Sequence, residues 1–270
     1  MLGYATRRIL QAIPTLLLIV AAAFFLMRAA PGGPFDDERA LPPEIEANLQ
    51  AAYGLDQPVT VQFARYLGGL VRGDLGPSFR MKDFTVAELI GRGLPVTLSI
   101  GAAALLLGIG LGVPLGLVAG LRQNGWADHA VMTVALVGIA VPNFVVAPVL
   151  ALVFGLYLGW LPVAGWEPGS AGHLVLPVIT LALPLVAYLA RLTRGSLLEV
   201  LQAPYIRTAR AKGLAPGVIL RRHALRPTLL PVVSFLGPAA AGLLTGSLVV
   251  EQVFGLPGVG RYFVQGAVNR

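Results

Sequence analysis

The side chains that could do chemistry are few in this sequence, and most of them are scattered. His129, His173 and His223 lie in separate polar segments at no spacing that would bring two of them to one metal ion. Cysteine is absent, which removes thiolate ligands, thiol nucleophiles and disulfides. Serine and threonine occur without a His/Asp constellation to activate them. The two lysines, Lys82 and Lys212, do not close a G-x-x-x-x-G-K-[ST] loop, so the chain has no such cradle for ATP phosphates. No catalytic residue and no metal site is expected. One concentration of charge remains: "YIRTARAKGL", Tyr205 to Leu214, gathers Arg207, Arg210 and Lys212. Cations so close together either fix topology on a solvated helix that touches lipid headgroups or meet the surface of a protein partner.

The elements that must position this cluster are membrane helices. Of 270 residues 56% are hydrophobic and only 12% charged, and the mean hydropathy is +0.76, far from the balance of a soluble domain. The net charge of +7 reflects polar loops biased toward Lys and Arg, not a nucleic-acid surface. Uncharged runs long enough to span a bilayer as a helix are Ile9 to Met27, Gly93 to Leu121, Ala130 to Trp166, Pro168 to Ala190 and Pro227 to Val250. The third exceeds one span. "LGWLPVAGW" marks where it leaves the membrane at an aromatic interface, so one helix is expected to end near Leu158. Arg7 and Arg8 before an apolar run also describe a signal peptide. The run of 19 residues is longer than a usual signal core and "RAAPGG" is an imperfect cleavage site, so a retained helix is expected.

With the amino terminus cytoplasmic, the segment Arg191 to Arg226 is cytoplasmic as well. It holds eight Lys/Arg against the single acid Glu199, whereas Pro31 to Arg92 carries nine acids and six bases. That distribution satisfies the positive-inside rule. No Asp, Glu, Lys or Arg falls inside the five expected spans, which disfavours ion-driven transport. Gly108, Gly112, Gly116 and Gly120 recur every fourth position and form a seam for close helix packing. Prolines within the spans permit kinks. In the external segment a short helix is expected over Glu44 to Tyr53, and a second presents Phe63, Leu67 and Leu70 on one face. That face would lie on the membrane or meet an external partner.

Around the cations, Pro204 suits the first turn of a helix, and Gly213 followed by Pro216 suits its end. Tyr205, Ala209 and Gly213 share one face of it, and Arg207 and Arg210 a neighbouring one. The small residues and the charges together favour docking of a partner.

"YIRTARAKG", "RRHALRPTLLP" and "EQVFGLPGVGR" resemble the signatures of the permease subunits of dipeptide/oligopeptide-type ABC importers. The similarity runs along the whole chain, through "GYATRRILQAIPTLL", "YGLDQPVTVQFARYLGGLVRGDLGPSF", "LPVTLSIG" and "LPVITLALPLVAYLARLTRGSLLEV". The long external loop resembles that of the first of the two paired permeases. Arg207, Thr208 and Ala209 stand where ABC importers in general have E-A-A, and Gly213 matches that motif's glycine. The I-x-L-P end falls on His223, Leu225 and Arg226 and keeps only the leucine.

The resemblance implies an all-α polytopic membrane protein with the type I ABC importer transmembrane-domain fold. It implies six spans, of which five are visible and the last is expected to be truncated. It implies three parts: residues 1–30 with the first span, an external loop 31–92, and a permease core 93–270 whose cytoplasmic loop 191–226 bears a coupling helix. That helix, with Tyr205, Arg207, Thr208, Ala209, Arg210, Ala211, Lys212 and Gly213, would sit in a cleft of a cytoplasmic ATPase subunit. The implied partners are a second permease, two ATPase subunits, an external solute-binding protein and the lipid of a prokaryotic inner membrane. ATP and Mg would be used by the ATPases, with no cofactor on this chain. The implied cargo is a peptide or related small solute. From a different class, a passive channel or structural membrane protein would need no ATPase.

Overall fold

The computed structural model describes residues 2–29, 54–78, 81 and 83–263. The expected helix over Glu44 to Tyr53 lies outside them. The described chain is helical, with a lone β-bridge between Pro77 and Thr85. Among the described residues four helices are long and apolar enough to cross a membrane, or five if one bent pair is counted as a span. The chain divides into two compact units at Gly91/Arg92.

In the first unit, α1 (Leu2–Ala29) contains the uncharged run and the two preceding arginines. At 1.5 Å per residue its 28 residues reach about 42 Å, enough for a hydrocarbon core of about 30 Å. From Ile9 onward its leucines and isoleucines are exposed, as a surface solvated by lipid allows. α2 (Val59–Val71) buries Gln62, whose Nε2 donates to the Leu55 and Gln57 carbonyls at 2.9 and 2.7 Å. Phe63 turns onto α1, with ring centroids 5.2 Å from Phe24 and 5.1 Å from Phe25. Phe63, Leu67 and Leu70 are all partly buried. Phe63 thus meets the chain's own first helix, beyond the two destinations expected for that face. α3 (Val86–Leu121), of which only the first turns up to Gly91 belong to this unit, opens with a capping box: Thr85 N–H donates to Glu88 Oε2 at 2.8 Å, and Glu88 N–H to Thr85 Oγ1 at 3.2 Å.

In the second unit the expected third span is not one helix. α4 (Trp126–Ala140) and α5 (Asn143–Leu150), which continues as π-helical turns Ala151–Tyr157, meet at a 102° bend. Val141 is extended at φ −86°, ψ 118°, as a residue before proline prefers, and Pro142 has no N–H to continue the ladder. α6 (Gly172–Leu201) overruns its uncharged stretch, so Arg191, Arg194 and Glu199 are helical residues and the expected loop starts later. α7 (Pro204–Ala211) follows, and Pro216–Val218 leads through π-helical turns Ile219–Ala224 into α8 (Leu225–Leu244). The fifth run is likewise interrupted. α8 ends at Leu244, Gly246 takes φ +106°, and α9 (Leu248–Val253) begins afresh.

The core joins Val96, Ile100 and Ala104 of α3 with Leu176, Leu181 and Ala182 of α6 and with Val250, Phe254 and Leu256. A second cluster pairs Leu185 and Leu189 with Val232 of α8. Between α3 and α6 the four glycines lie in close contact. A Cβ at Gly112 would stand 2.8 Å from Leu189 Cβ and from the Val186 carbonyl, and one at Gly120 2.9 Å from Leu197 Cδ2. At Gly108 it would overlap Leu185, and at Gly116 the Ala190 carbonyl and Thr193.

Candidate functional site

The basic helix is built from its ends inward. Pro204 occupies the first turn, where no helical donor is needed. At the other end, Gly213 N–H donates to the Arg210 carbonyl at 2.9 Å and Leu214 N–H to the Ala209 carbonyl at 3.3 Å, the paired bonds of a Schellman stop. Gly213 takes φ +74°, with nothing within 4 Å of where a Cβ would stand. Glycine is required there by backbone conformation, not by space.

α7 is seated on its own chain. Ile206 is fully buried and Ala209 6% exposed, packed with Leu197 of α6, Ile219 and Ala224. Ala209 therefore does not face outward with Tyr205, as their shared spacing suggested; its contacts are intramolecular. The outward surface consists of Tyr205, Arg207, Thr208, Arg210, Ala211 and Lys212, all exposed. Thr208 Oγ1 donates back to the Pro204 carbonyl at 3.1 Å.

Beneath this seat lies an ion pair that sequence reasoning missed. Asp128, in the first turn of α4 and 2% exposed, accepts from Arg194 of α6 through both oxygens: Nε to Oδ1, and Nη2 to Oδ2 at 2.7 Å. The Asn124 N–H also donates to Oδ2 at 2.9 Å. The bidentate geometry matches the planar guanidinium to the carboxylate. Arg194 sits one turn before Leu197, which receives Ile206. The base of α7 is thus tied to α4 by the ion pair and to α3 through Gly116 and Gly120.

A second buried acid closes the other end of the unit. Glu251, 4% exposed, accepts from Thr97 Oγ1 at 2.8 Å and from Gly260 N–H at 2.7 Å, while Thr97 Oγ1 accepts from Val259 N–H at 2.9 Å. A Cβ at Gly258 would overlap the Glu251 carboxylate. The spacing in "EQVFGLPGVG" folds the loop around its own glutamate.

A cavity of about 660 Å³ opens along α6, bounded by Ile139 of α4 and Pro231 of α8 and lined by Tyr188, Arg191, Ser196 and Glu199 of α6. Its size is that of a ligand pocket. Tyr188 stacks on Phe235 of α8 with centroids 4.2 Å apart. No group of three or more metal-ligating side chains occurs among the described residues.

Residues 112–270 match the family model of the binding-protein-dependent transport system inner membrane component, and residues 1–101 match the amino-terminal model of such membrane components. The whole chain is 51% identical to the oligopeptide transport system permease protein OppB of Salmonella typhimurium and 50% to that of Escherichia coli, covering 88% of each. It is 42% identical to the dipeptide transport system permease protein DppB of Bacillus subtilis, covering 87% of it. Among solved structures, inward-facing MetNI methionine ABC transporter matches with TM-score 0.54 at 20% identity, over 66% of this chain and 80% of that one. At that identity the likeness is one of fold.

Proposed function

The chain belongs to the inner membrane components of binding-protein-dependent transport systems, and from that premise we propose that it moves peptides inward across the membrane by alternating access. It is a permease subunit of an ABC importer, with several membrane-crossing helices. The peptide cargo rests on one observation, end-to-end identity of 51% with a relative named for oligopeptide transport. The driving force comes from two cytoplasmic ATPase subunits that use ATP and Mg. A second permease completes the pathway, and an external binding protein delivers the cargo. The amino terminus lies in the cytoplasm, in keeping with the basic bias of Arg191 to Arg226.

In this reading the outward face of α7 docks in a cleft of an ATPase subunit. A motor shifts a conformational equilibrium only by binding one state better than another, so its grip must be passed into the bundle. Ile206 and Ala209 support that role by anchoring α7 on α6. Arg207, Arg210 and Lys212 remain exposed for charge complementarity and register.

Arg210→Glu combined with Lys212→Glu tests the docking role. The pair is expected to weaken co-purification of the ATPase about ten-fold or more, since reversed charges add repulsion at the interface. Membrane insertion is expected to stay normal. Undiminished ATPase recovery would refute the docking role, and failure of the wild-type assembly to take up peptide in an ATP-dependent manner would refute the peptide cargo.

A further inference from the structure

The cavity along α6 has an electrical direction that docking and helix packing leave unused. Tyr188, Arg191 and Glu199 are exposed, and Ser196 is half-buried beside them. All four line one space shared with Ile139 and Pro231. The space is an open groove bordered by α4, α6 and α8. Among the described residues neither Arg191 nor Glu199 has an ion-pair partner. The groove therefore presents a free guanidinium and a free carboxylate. They are eight residues apart on one helix, about 12 Å along its axis at 1.5 Å per residue.

Resting on the peptide-import reading, we infer that this groove is an inner binding station for a zwitterionic peptide: Arg191 takes the α-carboxylate and Glu199 the α-ammonium. An extended chain advances about 3.3–3.6 Å per residue, so about 12 Å is spanned by roughly three or four residues. Arg191 directly follows the uncharged run that ends at Ala190, and Glu199 lies two turns farther toward α7. The carboxylate thus sits nearer mid-membrane and the ammonium nearer the cytoplasm, so the peptide leaves amino end first. The planar guanidinium suits a carboxylate through paired hydrogen bonds. Tyr188, which lines the groove and stacks on Phe235, offers an apolar surface at its mid-membrane end for the last side chain.

The test uses the assembled transporter in vesicles, with tri-alanine, its C-terminal amide and its N-acetyl derivative, each uptake normalised to occupancy of the binding protein. The wild type is expected to prefer free tri-alanine to either capped form by about ten- to 150-fold, the range of one hydrogen bond to a charged group. Arg191→Gln abolishes the preference over the amide and keeps that over the N-acetyl form. Glu199→Gln does the reverse, and Arg191→Lys restores part of the first. The inference is overturned if the wild type imports capped forms as well as free tri-alanine, or if the variants lower all three equally. It is overturned too if removing anionic lipid from the vesicles reproduces the Arg191→Gln effect, since the guanidinium then meets headgroups. A wild type that imports none of the three would instead count against the peptide-import reading itself.

Discussion

At the scale of single residues, Gly213 and Asp128 show two different reasons for an identity. Gly213 has open space around it but φ +74°, where a β-branched residue is strained by about 1–3 kcal/mol. Gly213→Val is expected to loosen the end of α7 and lower substrate-stimulated ATP hydrolysis by the assembled transporter several-fold. Gly213→Asn keeps most of it, because asparagine tolerates the left-handed region. Equal activity in the two variants, measured as phosphate release, would disprove the backbone argument. Asp128 matters through its partner. Removing one member of a fully buried pair strands the other and costs about 3–5 kcal/mol; Arg194 keeps 25% of its side chain exposed, so Asp128→Asn is expected to cost less than that but still lower thermal stability in detergent measurably. Adding Arg194→Gln should cost less than the sum of the single changes, as coupled groups do; strictly additive losses would show that the two side chains are independent.

At the scale of elements, the α3–α6 seam and the α4–α5 bend carry the architecture. Gly116 faces the Ala190 carbonyl, a backbone atom that cannot swing aside, whereas Gly110 on the same helix has nothing within 4 Å of its Cβ position. Overpacking costs about 1–3 kcal/mol or more, so Gly116→Val is expected to reduce folded protein in the membrane fraction while Gly110→Val leaves it near wild type. Fluorescence size-exclusion profiles of the two variants make the comparison, and matching profiles would reject the seam as a site of steric demand. The same elements show what is legible locally. Four glycines at a four-residue period announce a packed face, and Phe63, Leu67 and Leu70 announce an amphipathic one, because helix periodicity is written in neighbouring residues. The bend at Pro142 was obscured by apolar residues on both sides, which look alike whether the helix is straight or broken.

At the scale of the whole molecule, orientation can be measured directly because the chain has no cysteine of its own. A single cysteine in place of Lys212 is expected to react with a membrane-impermeant maleimide only when the cytoplasmic face is open to the reagent. One in place of Asp74, on the opposite loop, should react from outside intact cells; the reverse pattern would overturn the docking role of α7. Membrane class and helical content followed from the sequence alone, because apolar length and unpaired backbone leave few other solutions in lipid. So did the position, start and stop of the basic helix, since proline and glycine act on adjacent peptide units. Tertiary structure decided which face of α7 is free, burying Ala209 against Leu197 where spacing alone placed it beside Tyr205. It also joined Asp128 to Arg194 across 66 residues and Thr97 to Glu251 across 154. In sequence these charges look like ordinary residues flanking a span. Only folding removes the carboxylates of Asp128 and Glu251 from water, and removal from water makes a charge seek its partner.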